Sequence, residues 1–190
     1  MVAIRVAKRL DMKHIRLDNA IYHVTTVVYG RLAMFTKPSF VIPLLDSMNY
    51  YRHKLHFLLM GYVIMPDHLH FLVWPQGTSD LSGIMRDYKK FTATRVIRQV
   101  EVEQRTDWMA AIKEAGETTG RSEHKLWQDD YFDTLVFSPR VLREKLNYIH
   151  RNPVRAGLVE SPEQYPYSSY RNYVCDDESL IEIDREWVSW

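Results

Sequence analysis

The sequence predicts an α+β fold: a ferredoxin-like, or split βαβ, antiparallel sheet with helices on one face. Three observations predict it. Apolar segments fall in the order β-α-β-β-α-β-α. The second and third strands are separated only by Pro66-Asp67, which demands an antiparallel hairpin. The chain has 190 residues, 46% apolar and 26% charged, the composition of a domain that buries its own core.

Each element has a local reason. Residues 20–29 are rich in β-branched and aromatic side chains and stop at Gly30, which reads as a strand. Pro38 opens a helix to about His53, with Val41, Leu44, Leu45 and Met48 at helical spacing. Residues 57–65 and His68 to Trp74 are the hairpin strands. Ser79 is placed to cap a helix whose buried stripe is Leu81, Ile84, Met85, Tyr88 and Phe91. Residues 126–137 read as a fourth strand region. Ser138-Pro139 starts a last helix, expected to run to about Arg151 and stop at Asn152-Pro153. Two helices on one face leave the other sheet face as an open platform.

One domain is expected over residues 1–175. Residues 101–125 lose periodicity and gain Glu, Thr and Gly, so they read as an exposed insertion loop. Residues 176–190 hold six acids and one base and read as a peripheral acidic tail. A single cysteine, Cys175, excludes a disulfide framework and a cysteine-built zinc site, and points to a reducing, cytoplasmic setting. No apolar run approaches the ~20 residues that cross a bilayer.

A net charge of +1 hides an asymmetry. Residues 1–100 carry 14 Lys and Arg against 6 Asp and no Glu, whereas residues 101–190 carry 11 basic and 18 acidic side chains. A basic half on a near-neutral chain suits a polyanionic partner on one face. Arg86, Lys89, Lys90, Arg95 and Arg98, with Arg151 and Arg155, are the candidate phosphate contacts. The basic stretch Lys8 to Arg16 reads as an arm toward that partner or as a frayed terminus.

His68-Leu69-His70 is the sharpest chemical signal. Strand side chains alternate, so the two imidazoles share a face while Leu69, Phe71 and Val73 point to the core. Two imidazoles at that spacing can chelate one cation, but a third ligand must come from elsewhere. Asp67 reads as a turn former, a hydrogen-bond partner of a histidine, or a further ligand. Tyr148 and Asn152 lie four apart on the last helix and share its face. That pairing would set an attacking phenol oxygen beside a cation. It also fits a half-buried core tyrosine with an asparagine at a helix end. Tyr88, on the apolar stripe, and Tyr131, without a polar companion, are weaker nucleophiles. His150 reads as a solvated residue or one that faces the polyanionic partner.

Four segments occur in order: Met65-Pro66-Asp67-His68-Leu69-His70; Trp127-Gln128 with Tyr131-Phe132-Asp133; Tyr148-Ile149 with Asn152-Pro153-Val154 and Ala156-Gly157-Leu158-Val159; and Tyr165-Pro166-Tyr167-Ser168-Ser169-Tyr170. Over residues 15–173 the chain resembles the REP-associated tyrosine transposases, a branch of the HUH single-strand DNA transposases with an IS200-like domain. The resemblance implies the HUH pair on a central strand and the catalytic tyrosine on a C-terminal helix. It implies His68, His70 and Asn152 as metal ligands and Tyr148 as the nucleophile. The implied reaction is cleavage of single-stranded DNA at hairpins, through a 5′-phosphotyrosine and a free 3′-hydroxyl. Mg²⁺ or Mn²⁺ is the implied cofactor, and imidazole ligands suit Mn²⁺ better. A monomer is expected rather than a tyrosine-swapped dimer. The alternatives are a hairpin binder that no longer cuts, and a phosphoesterase that uses water.

Overall fold

The computed structural model describes residues 20–120 and 122–185. In order it contains β1 (Ile21–Val27), α1 (Pro38–Lys54), β2 (Phe57–Ile64), β3 (His68–Pro75), α2 (Leu81–Val102), α3 (Thr106–Thr119), β4 (Phe132–Val136), α4 (Pro139–Arg155) and α5 (Tyr170–Val174). The strands form one sheet in the order β2-β3-β1-β4, every neighbouring pair antiparallel. This is the order that a β-α-β-β-α-β chain takes when both helices return across one face. No helix among the described residues is long and apolar enough to cross a membrane.

Strand alternation sorts the side chains into two cores. Tyr22 and Val24 of β1 and Leu69, Phe71 and Val73 of β3 pack against α1 and α2, including the expected Val41, Leu44, Leu45, Met48, Ile84, Met85 and Tyr88. On the other face Met60, Val63, Leu72 and Val136 pack beneath Leu142, Leu146 and Ile149 of α4. The face expected to be an open platform therefore carries α4 across part of it, and its uncovered part lies beside that helix.

The caps explain where helices begin. Asp80, rather than Ser79, caps α2: its carboxylate accepts from the Gly83 N–H at 2.9 Å. Ser79 instead donates to the Leu55 carbonyl and ties the loop to the end of α1. Ser138 caps α4, accepting from the Val141 N–H at 3.3 Å, and Pro139 follows at its first position.

Three expectations are corrected. First, α4 does not stop at Asn152-Pro153 but runs through both to Arg155. A proline near the C-terminal end removes one N–H, and the last turn closes without it: the Ala156 N–H reaches the Asn152 carbonyl at 3.0 Å, and Leu158 reaches Pro153 at 2.9 Å. Second, residues 101–125 are not a loop. They finish α2 and contain α3. The helix buries only a narrow strip, chiefly Ile112, Ala115 and Gly116, while Trp108 stands edge-on to Phe40 at 5.1 Å. So thin a strip leaves little periodicity to read. At Gly116 a Cβ would fall 2.5 Å from the carbonyl oxygens of both Ser122 and Glu123, so this helix face must stay bare. Third, the acidic tail is docked through residue 185. Ile181 and Ile183 are buried in the first core. Asp184 accepts from the Leu59 N–H at 2.7 Å and pairs with the buried Arg52 at 3.1 Å. The acid count hid this short alternation of apolar and polar residues.

The segment after α4 shields the outer strand β2. The Ile64 N–H donates to the Tyr167 carbonyl, the Ser169 N–H to the Tyr62 carbonyl, both at 2.9 Å, and the Tyr165 hydroxyl to the Ile64 carbonyl at 2.6 Å. α4 approaches β2 most closely at Gly61, where a Cβ would lie 2.7 Å from Leu146 Cδ2 and 3.2 Å from Ile149 Cδ1. Gly61→Val is therefore expected to cost about 1–3 kcal/mol through overpacking, read as a lowered urea midpoint. An unchanged midpoint would mean that α4 does not rest on this strand.

Candidate active site

The hairpin and β1 build the floor of the site. His70 lies opposite Thr25 in the β1–β3 register, and alternation turns His68, His70, Thr25 and His23 to the α4 face. The expected neighbours are together: the His68 and His70 ring centroids are 4.9 Å apart, with planes at 89°.

Each imidazole is held by its Nδ1. His70 Nδ1 lies 2.8 Å from Thr25 Oγ1, and His68 Nδ1 lies 2.5 Å from Asp67 Oδ1. With Nδ1–H as donor, Nε2 keeps its lone pair for a ligand. Asp67 therefore orients His68 from the turn, and it also accepts from Arg31 at 3.2 Å. Burial alone would raise the Asp67 carboxyl, but the hydrogen bonds and charges of His68 and Arg31 hold it below its ordinary value. Burial, with the positive charge of His23, His68, Lys145 and Arg31 around it, pushes His70 down to about 3. It is a neutral imidazole at physiological pH.

α4 supplies the roof. Tyr148 is 40% exposed, and its ring stands edge-on to His70 at 5.5 Å and to His23 at 5.8 Å. Asn152 follows one turn later in unbroken helix, as the spacing predicts. Among the buried polar atoms with no hydrogen-bond partner within the described residues, His70 Nε2 and His23 Nε2 belong to this floor and Asn152 Nδ2 to α4. Buried polar groups are rarely left unpaired, so such atoms mark a place for a ligand. The amide of Asn152 can present its oxygen instead by a flip. Two imidazole nitrogens and an amide oxygen suit a divalent cation such as Mn²⁺. Among the described residues no three His, Cys, Asp or Glu side chains converge on one point. The His23 ring stacks on His70 at 5.2 Å, with planes at 19°.

The sequence reading missed His23 and Lys145. His23 lies two residues before Thr25 on β1, and only the β1–β3 pairing brings it to His70. Burial, then the Lys145 charge, lowers it to about 4. Lys145 precedes Tyr148 by three on α4 and bears on both imidazoles. His150 is not solvated: it is buried, and its Nε2 lies 2.8 Å from Ser169 Oγ. Tyr88 is core, donating to the Leu44 carbonyl at 3.3 Å.

The basic candidates divide. The Arg155 guanidinium lies 5.4 Å from the centre of the Tyr148 ring, and Arg151 is exposed on the same helix. Arg86, Lys89, Lys90, Arg95 and Arg98 belong to α2, on the opposite face of the sheet. Lys89 is bound up in structure: its ammonium donates to the carbonyls of Gln128 at 2.7 Å and Asp129 at 2.8 Å. The basic stretch Lys8 to Arg16 lies outside the described residues.

Burial depresses His23, His70 and His150 alike, so protonation of each favours the unfolded chain. Their stabilising contribution is complete above about 6.5 and is lost as pH falls toward about 4. Thermal melts of chelator-treated protein are expected to drop across that window, and His150→Gln is expected to flatten the drop. A melting temperature independent of pH between those values would contradict it.

Residues 16–152 match the family model described as transposase IS200 like. A relative from Haemophilus influenzae, bearing the name REP-associated tyrosine transposase, is 31% identical over 111 residues, covering 58% of this chain and 57% of the relative. The REP-associated tyrosine transposase of Escherichia coli K12 is 24% identical over 131 residues, covering 67% and 62%. The chain thus matches about three fifths of the length of these curated relatives. A solved REP-associated tyrosine transposase bound to a REP hairpin superposes with a TM-score of 0.64 at 18% identity, over 93% of this chain and 90% of that one, a likeness of fold. The chain belongs to the IS200-like transposase family, whose model matches 137 of its 190 residues.

Proposed function

We propose that this protein is a metal-dependent single-strand DNA endonuclease and strand transferase that acts at hairpin DNA through Tyr148. One observation carries the reading: a half-exposed phenol stands edge-on to His70, whose Nε2, like Asn152 Nδ2, has no hydrogen-bond partner among the described residues, and the His68 ring lies 4.9 Å from that of His70. The hairpin substrate is carried by likeness to relatives named for REP elements and to a neighbour bound to a REP hairpin.

His68, His70 and Asn152 would hold the divalent ion, which supplies charge neutralisation and polarisation of the scissile phosphate. Thr25 and Asp67 fix the imidazole orientations. α4 aims Tyr148 at the same face, and Arg155 and Lys145 flank it with positive charge. The Tyr148 oxygen attacks phosphorus and gives its proton to solvent. The bond to the 3′-oxygen breaks, and that oxygen leaves as a 3′-hydroxyl after taking a proton. The phosphate stays on Tyr148 as a 5′-phosphotyrosine, so attack by another 3′-hydroxyl rejoins strands without ATP. Arg151 and Arg155 are the candidates for positioning backbone phosphates near the cut. The α2 set, Arg86, Lys90, Arg95 and Arg98, meets only DNA that wraps the sheet edge. α4 lies over its own sheet, which supports a monomer.

Incubation of a single-stranded oligonucleotide pool with Mn²⁺, read on a denaturing gel, is expected to give a protein–DNA adduct. Tyr148→Phe is expected to abolish it, and His68→Ala to abolish it while hairpin retention in a low-salt gel shift persists. Cleavage that survives Tyr148→Phe would assign the attack to water. Binding without cleavage by the unaltered chain would make this a hairpin-binding protein.

A further inference from the structure

β4 is the outer strand beside β1, and it presents an aromatic side chain to solvent. Phe132 is 59% exposed on a chain that otherwise buries most of its large apolar residues. The registers place Val63, His70, Thr25 and Phe132 in one row across the four strands. Val136, four residues on, belongs to the core beneath α4, so alternation puts Phe132 on that same face. Neighbouring strands lie ~4.8 Å apart, so the Phe132 backbone is about 10 Å from that of His70. That is the reach between a phosphate and a base of the same or the adjoining nucleotide. The surroundings are cationic: Lys145 and Arg31 bear on His70, and Arg155 lies over the Tyr148 ring.

We propose that the Phe132 ring is a stacking platform for an unpaired base of the strand whose phosphate meets Tyr148, which rests on the function proposed above. A base offers a π-face whatever its identity, so the ring would hold the strand in register beside the nucleophile without reading sequence. The cations around His70 and Tyr148, namely Lys145, Arg31 and Arg155, favour a polyanion over a second copy of this near-neutral chain as occupant.

The test uses the Tyr148→Phe chain, so that the strand is not consumed, and two fluorescent probes of equal length: oligo(dT), and an abasic strand with the same phosphates. Phe132→Ala is expected to weaken oligo(dT) binding roughly tenfold or more, the loss typical of one stacked base, and to leave abasic binding unchanged. Phe132→Leu, which keeps apolar bulk without a π-face, is expected to weaken oligo(dT) as well, and Phe132→Trp to retain it. Equal weakening of both probes, or no change with oligo(dT), would overturn the platform. So would a dimer of the unaltered chain that Phe132→Ala makes monomeric, since a second copy would then occupy the ring. If the unaltered chain forms the Mn²⁺ adduct while Phe132→Ala keeps full oligo(dT) affinity, the platform alone is wrong. If the unaltered chain neither binds a strand nor forms an adduct, both readings fall.

Discussion

Leu146 and Ile149 can rest on β2 because residue 61 carries no Cβ. A side chain there would press on both, at 2.7 and 3.2 Å. Close packing makes this a positional constraint as well as an energetic one. Tyr148 lies between those two anchors in sequence, so the height of α4 above the sheet sets how near the phenol comes to His23 and His70. The same approach is locked from the far side. Ser169 Oγ receives the Tyr62 N–H at 2.9 Å and meets His150 Nε2 at 2.8 Å, joining strand, helix and the segment after it. The site is thus placed by packing in regular elements, and none of its principal side chains hangs on a long loop.

The electrostatics of the floor follow from that placement. An imidazole buried beneath a helix and ringed by Lys145 and Arg31 does not take a proton readily. Thr25 and Asp67 occupy the Nδ1 atoms of His70 and His68, which leaves both Nε2 atoms for a ligand, and Tyr148 stands edge-on to His70. A protein that only needed filler here would place leucine or valine. Neutral nitrogens held without partners carry an energetic cost, and a bound cation is what would offset it.

The fold was legible because its signals are local. Apolar runs placed both hairpin strands, proline and serine marked the starts of α1 and α4, and the tight turn fixed the β2–β3 pairing. Tyr148 and Asn152 were legible as a pair because a helix repeats every 3.6 residues. What escaped the sequence depends on tertiary packing. α3 buries a narrow strip, Ile181 and Ile183 are pinned by a distant Asp184–Leu59 contact, and Pro153 is carried inside a helix that its type would be expected to end. His23 escaped because no local rule says which strand lies beside β3. The α2 cations, grouped with the site by charge alone, fall on the other face of the sheet.

Mn²⁺ added to the full chain and examined by pulsed electron paramagnetic resonance tests the central claim most directly, because coordinated imidazole imprints its nitrogen couplings on the ion. The account predicts one ion per chain with imidazole nitrogen couplings that vanish in the double variant His68→Ala/His70→Ala. Binding with water couplings alone, or nitrogen couplings that persist in that variant, would contradict it.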